Sequence, residues 1–175
     1  MTGRSHMLIG AATAIAACAG HWLVFSPATI FAAIFGSLLP DLDTERSMLG
    51  CRVRWLSRRF AAAFGHRTVT HSFFVPLVGA LMVWHFEGLA ALRGFWGAIW
   101  LGYASHIAAD LPTGGCWALY PLSNRRLAFW PYARTGGIQE AVLLMISLGL
   151  LMALAFVWTG QFQHVHLPRN IASMA

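Results

Sequence analysis

Apolar residues dominate five separate stretches of the chain, at about residues 7–25, 27–40, 70–86, 93–111 and 138–159. An α-helix rises about 1.5 Å per residue, so about 20 apolar residues are needed to cross a hydrocarbon core of roughly 30 Å. The first, fourth and fifth stretches meet this length, the third is marginal, and the second is short unless it is tilted. The pattern predicts an all-α fold, a polytopic membrane helical bundle of about five apolar helices.

Local signals add detail between these stretches. Ser26 followed by Pro27 predicts a helix start, with Ser as the N-cap and Pro in the first turn, and Pro40 ends the same stretch. Further along, apolar residues recur at helical spacing with arginines on the other faces: Val53, Leu56, Phe60 and Phe64. This spacing predicts a short basic amphipathic helix in the headgroup layer, although a positively charged loop without a chemical role fits the same residues.

The composition supports a lipid environment. The chain of 175 residues is 58% hydrophobic and only 10% charged, whereas soluble domains carry roughly 25% charged residues. No repeat or second domain is recognisable. We therefore expect a single membrane-embedded domain over residues 1–175, with a motif-bearing part at 6–140, a C-terminal helix at 138–159 and a polar tail at 160–175.

The positive charge indicates an orientation. All twelve basic residues are arginines, and the net charge is +6. With five spans, ten arginines fall on the side of the N-terminus, and only Arg93 and Arg169 fall on the other. Basic clusters mark cytoplasmic loops in membrane proteins, so we expect a multi-pass protein with its N-terminus inside and no nucleic-acid partner.

The ionisable residues collect at the predicted cytoplasmic helix ends. Every one of the five stretches contributes to the set, which comprises His6, Asp41, Asp43, His66, His71, His106, Asp110 and Glu140. A lone His or Asp at a helix end is usually a cap or a solvated residue. Eight such groups on one side favour a function, because ionisable groups at a membrane are costly. The remaining histidines fall on the outer side and are left out: His21, His85, His164 and His166.

The spacing and type of these residues are typical of a metal site. His106 and Asp110 are four residues apart and project from one helix face, and Asp41 and Asp43 lie on a tight turn. Imidazole with carboxylate suits Zn²⁺, Mn²⁺ or Fe²⁺, and a site with two or three such groups leaves a position open for water. Such a water can attack an ester or a phosphoester. The three cysteines are far apart and indicate neither a disulfide framework nor a thiolate zinc site.

The same residues carry a resemblance to a known family. The motifs are Ser5-His6-Met7-Leu8, Leu38-Leu39-Pro40-Asp41-Leu42-Asp43, Arg46-Ser47-Met48-Leu49-Gly50, Gly65-His66-Arg67-Thr68-Val69-Thr70-His71-Ser72, and the segment Leu101–Asp110 that ends in HxxxD. They resemble the YdjM-type family of bacterial inner-membrane proteins, described as LexA-regulated, metal-dependent hydrolases. The similarity runs from His6 to about Glu140, and no usable resemblance is found in the last 35 residues or so.

The resemblance implies an inner-membrane location, a metal centre and hydrolysis. It implies that the metal-site candidates are His6, Asp41, Asp43, His66, His71, His106 and Asp110, and Glu140 matches a Glu that follows a Gly-rich turn. As catalytic residues we expect His66, Arg67 and Glu140. The order Asp, His, then HxxxD is also similar to zinc-dependent phospholipase C and nuclease sites. The later histidines of that second pattern are absent here, so a full trinuclear zinc site is not implied.

We therefore expect a membrane hydrolase that uses one to three divalent ions, with zinc as the first choice. We expect Asp41, Asp43, His71, His106 and Asp110 as inner ligands, with His6 and His66 completing a second metal or acting as general acid. Arg67 and Arg46 are suited to hold a phosphate, so the expected partners are membrane lipids and a phosphoester-containing substrate. A metal or proton transporter and a protein with a purely structural metal are the alternatives. The sequence does not assign an oligomeric state.

Overall fold

A computed structural model describes residues 1–64 and 68–163. In these ranges the chain forms six α-helices: α1 (Gly3–Ala19), α2 (Pro27–Gly36), α3 (Arg54–Phe64), α4 (Phe74–Leu92), α5 (Phe95–Asp110) and α6 (Ile138–Gln163). Three 3-10 turns lie between them, at Pro40–Asp43, Val69–His71 and Leu111–Thr113. The expected all-α class is confirmed, and each of the five apolar stretches contains one helix.

Capping groups fix the starts of the first two helices. The Thr2 hydroxyl accepts a hydrogen bond from the Ser5 backbone nitrogen at 3.4 Å, and the Ser26 hydroxyl accepts one from Thr29 at 3.1 Å. Because Pro27 follows Ser26 directly, the predicted start of α2 is confirmed. The helix ends at Gly36, earlier than the stretch 27–40 implied, and Pro40 opens a separate 3-10 turn instead.

Helices α1, α2 and α5 form the centre of the bundle. Helix α1 packs against α2, α5 and α6, and α5 packs against α2 and α4 as well. The backbones of α2 and α5 touch: a Cβ atom on Gly102 would lie 2.0 Å from the Ala33 carbonyl oxygen, and one on Gly36 would lie 2.1 Å from the Ile99 carbonyl oxygen. Small residues permit this close approach, as is common between membrane helices.

Within residues 1–64 and 68–163, two helices are long and apolar enough to cross a membrane, namely Phe74–Leu92 and Ile138–Gly160. Both present large apolar side chains outward, for example Met82 and Met145. The expectation of about five spanning helices is not confirmed, because α1 has 17 residues, α5 has 16 and α2 has only 10. Part of the apolar sequence is therefore used to bury these shorter helices against one another.

The basic segment between the second and third stretches is helical, as predicted. Helix α3 contacts the Pro40–Asp43 turn. Its Trp55 side chain is 64% exposed, and the Arg59 guanidinium lies 5.8 Å from the centre of that ring. A helix with an exposed tryptophan and several arginines suits a membrane surface. Its position in the headgroup layer stays a prediction.

Candidate metal centre

Five of the residues predicted as metal ligands come together at one end of the bundle. They come from four parts of the chain: His6 from the first turns of α1, Asp41 from the Pro40–Asp43 turn, His71 from the Val69–His71 turn, and His106 and Asp110 from the last turns of α5. The three histidines are at most 1% exposed, and Asp110 is 2% exposed. The Asp41 side chain is 16% exposed and gives the cluster its most accessible edge.

Two imidazole nitrogens and two carboxylate oxygens approach one another in the cluster. The His71 Nε2 atom lies 3.9 Å from Asp41 Oδ1 and 3.6 Å from Asp110 Oδ2. The His106 Nε2 atom lies 3.7 Å from the same Asp41 oxygen and 3.6 Å from the same Asp110 oxygen. Ligands about 2.0–2.2 Å from a tetrahedral zinc ion are separated from one another by about 3.3–3.5 Å. These four His–Asp separations are somewhat longer than the spacing that a zinc ion requires, and the potential ligand atoms of Asp41, His71 and His106 all lie within 4.8 Å of one another.

The hydrogen-bonding state of these atoms also fits a cation. The His71 Nε2, His106 Nε2 and Asp110 Oδ2 atoms are buried and have no hydrogen-bond partner in the structure. A buried polar atom without a partner costs about 1–3 kcal/mol, so three that face one another require an explanation. A divalent ion would satisfy all of them at once, and the donor set of imidazole and carboxylate is one that zinc accepts.

The backbone of α2 orients His106. Its Nδ1 atom lies 2.6 Å from the Ser37 carbonyl oxygen, which can only accept a hydrogen bond. The Nδ1 atom therefore carries the proton, and the lone pair on Nε2 is left facing Asp41 and Asp110. Carbonyl or carboxylate partners of this kind are usual behind metal-binding histidines.

A hydroxyl group orients His71 in the same way. Thr70 Oγ1 donates to Asp43 Oδ2 at 2.8 Å, so its single proton is used, and it can only accept from His71 Nδ1, 3.1 Å away. The Nε2 lone pair of His71 is again directed to the cluster. Burial and the neighbouring His106 lower the pKa of His71 to about 4, although the nearby aspartates act in the opposite direction. The ring is thus neutral near pH 7, as a metal ligand must be.

The two oxygens of Asp110 face different partners. Oδ2 faces His71 and His106, whereas Oδ1 lies 3.3 Å from His6 Nε2 and accepts from the Met1 nitrogen at 2.5 Å. The His6 ring stacks on His106, with centroids 3.6 Å apart and planes 15° apart. His6, His106 and Asp110 form a second group of potential ligands, which shares His106 with the group of Asp41, His71 and His106.

The other predicted site residues lie elsewhere. Asp43 is 2% exposed and is on the Nδ1 side of His71, at 3.8 Å, rather than on the Nε2 side. Glu140 accepts hydrogen bonds from Thr2 N (2.7 Å), Ser5 Oγ (2.6 Å) and Gly136 N (2.6 Å), so it holds the start of α1 against the start of α6. His66 and Arg67 fall outside the described residues, and their predicted roles stay predictions.

Two contributors were missed by sequence reasoning. The Ser37 carbonyl left no signal, because any residue supplies a backbone oxygen. The Tyr103 hydroxyl donates to the Thr70 carbonyl oxygen at 2.6 Å and so fixes the turn that carries His71. Its position three residues before His106, on the same face of α5, was a usable signal.

The fold and this cluster define an all-helical protein with two candidate membrane spans and a buried His/Asp site that could bind metal. Comparison with known proteins agrees with this class. The model of the YdjM inner membrane protein family matches residues 1–167, and the chain belongs to this family. The match extends well past Glu140, so the expectation that the last 35 residues or so lack a usable resemblance is corrected.

Individual relatives have similar lengths. The chain is 33% identical to the inner membrane protein YdjM of Escherichia coli K12 and to that of Shigella flexneri, over 98% of this chain and 87% of each relative. It is 31% identical to the uncharacterized protein YvsG of Bacillus subtilis 168, over 82% of this chain and 88% of that relative. No solved structure matches. The names of the YdjM relatives support the membrane location.

Proposed function

We propose that the protein is a zinc-dependent hydrolase of the bacterial inner membrane that acts on a phosphoester at the cytoplasmic face. The observation that carries this proposal is the placement of Asp110 between two groups of histidines. A structural zinc site needs one closed set of four ligands. Here the five potential ligands include a carboxylate, that of Asp110, whose two oxygens face different imidazoles, which suits a hydrolytic site with more than one ion.

The residues of the cluster would have separate roles in this reaction. Asp41, His71 and His106 would hold the first ion and leave a position open for water, and His6 with Asp110 would contribute to a second. Zinc would supply Lewis acidity and would lower the pKa of a bound water to near 7. The partly exposed Asp41 edge is the natural entry for a substrate, because the histidines behind it are buried.

The predicted catalytic residues take different parts in this proposal. His66 remains the candidate general acid, and Arg67 remains a candidate phosphate ligand from the same HRxxTH block. Glu140 is better suited to a positioning role, since both of its oxygens accept hydrogen bonds from Thr2, Ser5 or Gly136. Asp43 would act through Thr70 on His71 rather than as an inner ligand.

A structural metal is the second candidate, and one observation favours it. The Nε2 atoms of His71 and His106 each lie 3.6–3.9 Å from an oxygen of Asp41 and an oxygen of Asp110, so these four side chains could close around a single ion without leaving a position for water. Such an ion would join α5 to two turns and would contribute only stability.

Metal analysis combined with lipid hydrolysis separates the two candidates. The protein is purified without chelators, its zinc content is measured, and release of phosphate or a phosphorylated headgroup from defined lipids in nanodiscs is followed with and without chelator. We expect bound zinc, chelator-sensitive turnover, and loss of both in Asp110→Asn but not in His85→Ala, an exposed histidine on α4. Bound zinc with no turnover on any ester would favour the structural metal, and a protein without metal would refute both.

The substrate class has its own test in Arg67→Lys. An ammonium group cannot reproduce the paired hydrogen bonds of a guanidinium to a phosphate. The variant should therefore retain its zinc and lose most of its turnover on phosphoesters. Turnover on a carboxylic ester or amide but on no phosphoester would retain the hydrolase and refute this substrate class.

A further inference from the structure

A cleft opens beside the candidate metal centre, on the far side of Asp43. Its volume is about 510 Å³, and its lining residues are Asp43, Thr44, Glu45, Arg46, Arg54 and Ala61. It lies between the segment that follows the Pro40–Asp43 turn and the first turns of α3. The hydrogen bonds that run from Asp43 through Thr70 to His71 connect this cleft to the metal-binding cluster.

Two arginines in the cleft differ from their neighbours. No hydrogen bond or ion pair joins Arg46 or Arg54 to another of the residues that the structure describes. By contrast, Arg52 donates to the Met48 carbonyl oxygen at 2.8 Å, and Arg59 lies over the Trp55 ring. Two guanidinium groups are therefore available to a ligand, although other arginines of the same segment are engaged.

The acidic residues of the cleft do not cancel this charge. The Glu45 carboxylate accepts a hydrogen bond from Arg58 Nε at 2.9 Å and is paired with it. The Asp43 carboxylate is almost fully buried and accepts from Thr44 at 3.0 Å and from Thr70 at 2.8 Å. Arg46 and Arg54 carry two positive charges against the one buried carboxylate of Asp43, so the net charge of the cleft is positive and an anion is the ligand that it suits.

We propose that this cleft is a phosphate-binding site in which Arg46 and Arg54 hold a phosphate group beside the candidate metal centre. The planar guanidinium fork matches phosphate oxygens, and two forks can bind one group from two sides. The phosphate could belong to a lipid headgroup or to a soluble phosphate compound. The link to turnover rests on the proposed hydrolase function, but binding can be measured without turnover.

The test is calorimetric titration of the full chain in detergent, after treatment with chelator so that no metal contributes to anion binding. The probes are dioctanoyl phosphatidic acid, inorganic phosphate and, as a neutral comparison, dioctanoyl phosphatidylcholine. We expect Arg46→Gln and Arg54→Gln each to weaken binding of the phosphate probes by about tenfold or more. The control Arg59→Gln removes the same charge from α3 outside the cleft and should stay within about twofold of wild type.

The outcomes are distinct. Wild-type affinity in both cleft variants would refute the site. An equal loss of affinity in Arg59→Gln would also refute it, because diffuse electrostatic attraction would then explain the binding. Cleft-dependent binding of phosphatidic acid well above that of inorganic phosphate identifies a lipid headgroup, and equal affinities identify a soluble phosphate compound. Cleft-dependent binding without any turnover would refute the hydrolase and retain the cleft. Turnover with an unchanged KM in both cleft variants would retain the hydrolase and refute the cleft as part of its substrate site.

Discussion

The hydroxyl of Thr70 should control metal affinity, although it does not contact the metal position. Thr70→Val keeps the shape of the side chain and removes the oxygen that joins Asp43 Oδ2, at 2.8 Å, to His71 Nδ1, at 3.1 Å. His71 then loses the acceptor that selects its tautomer, and the Asp43 oxygen loses a donor. Removing an outer partner of a metal-binding histidine weakens metal affinity by about 10–100-fold. That loss corresponds to roughly 1.4–2.7 kcal/mol in the free energy of zinc binding.

The assay is zinc competition against a chromophoric chelator, with the protein in detergent. Thr70→Ser retains a hydroxyl group and should bind zinc nearly as tightly as wild type. Because a buried carboxylate without its donor also costs stability, thermal unfolding is measured for each protein with and without zinc. The metal-dependent difference in the unfolding temperature should shrink in Thr70→Val and recover in Thr70→Ser. Zinc affinity within about twofold of wild type in Thr70→Val, or an equal loss in Thr70→Ser, would show that the hydroxyl does not orient His71.

Two other predictions concern the packing and the orientation of the helices. Gly102→Ala places a Cβ atom 2.0 Å from the Ala33 carbonyl oxygen, so α2 and α5 must separate. We expect the free energy of unfolding to fall by about 1–3 kcal/mol and zinc binding to weaken. The control Gly149→Ala, with no atom near its Cβ position, should be neutral. Equal unfolding temperatures for the two variants would contradict this packing. Reporter fusions after Ser57 and after Asn124 should indicate the cytoplasm, because arginines concentrate in these segments; a periplasmic signal after Ser57 would refute the proposed orientation.

Much of the fold could be predicted because its causes are local. The apolar stretches, the Ser26–Pro27 start and the spacing of apolar residues in α3 each indicated a helix that the structure contains. The number of spans could not be predicted in this way, since a hydrophobic stretch has the same composition whether it faces lipid or another helix. The contacts of α1, α2 and α5 with one another, through glycines such as Gly102, depend on tertiary packing.

The candidate metal centre, too, could be predicted from the sequence only in part. Residue type and helix-end position indicated that His6, Asp41, His71, His106 and Asp110 would converge, and the structure brings them together. Their chemistry alone could not separate Asp43 from Asp41, because both are carboxylates on one short turn. The separation follows from the direction of each side chain, with Asp41 towards the Nε2 atom of His71 and Asp43 towards its Nδ1 atom.

The hydrogen bonds of Glu140 have a consequence for the order in which the protein matures. As the chain is synthesised, every residue of the His/Asp cluster is present once α5 is complete, yet the carboxylate that holds Thr2 and Ser5 arrives only with α6. Until then the first turn of α1, which carries His6, lacks its partner. The last helix thus supplies the carboxylate that holds the start of α1, and with it His6, in place. A chain truncated before α6 is expected to lack these hydrogen bonds.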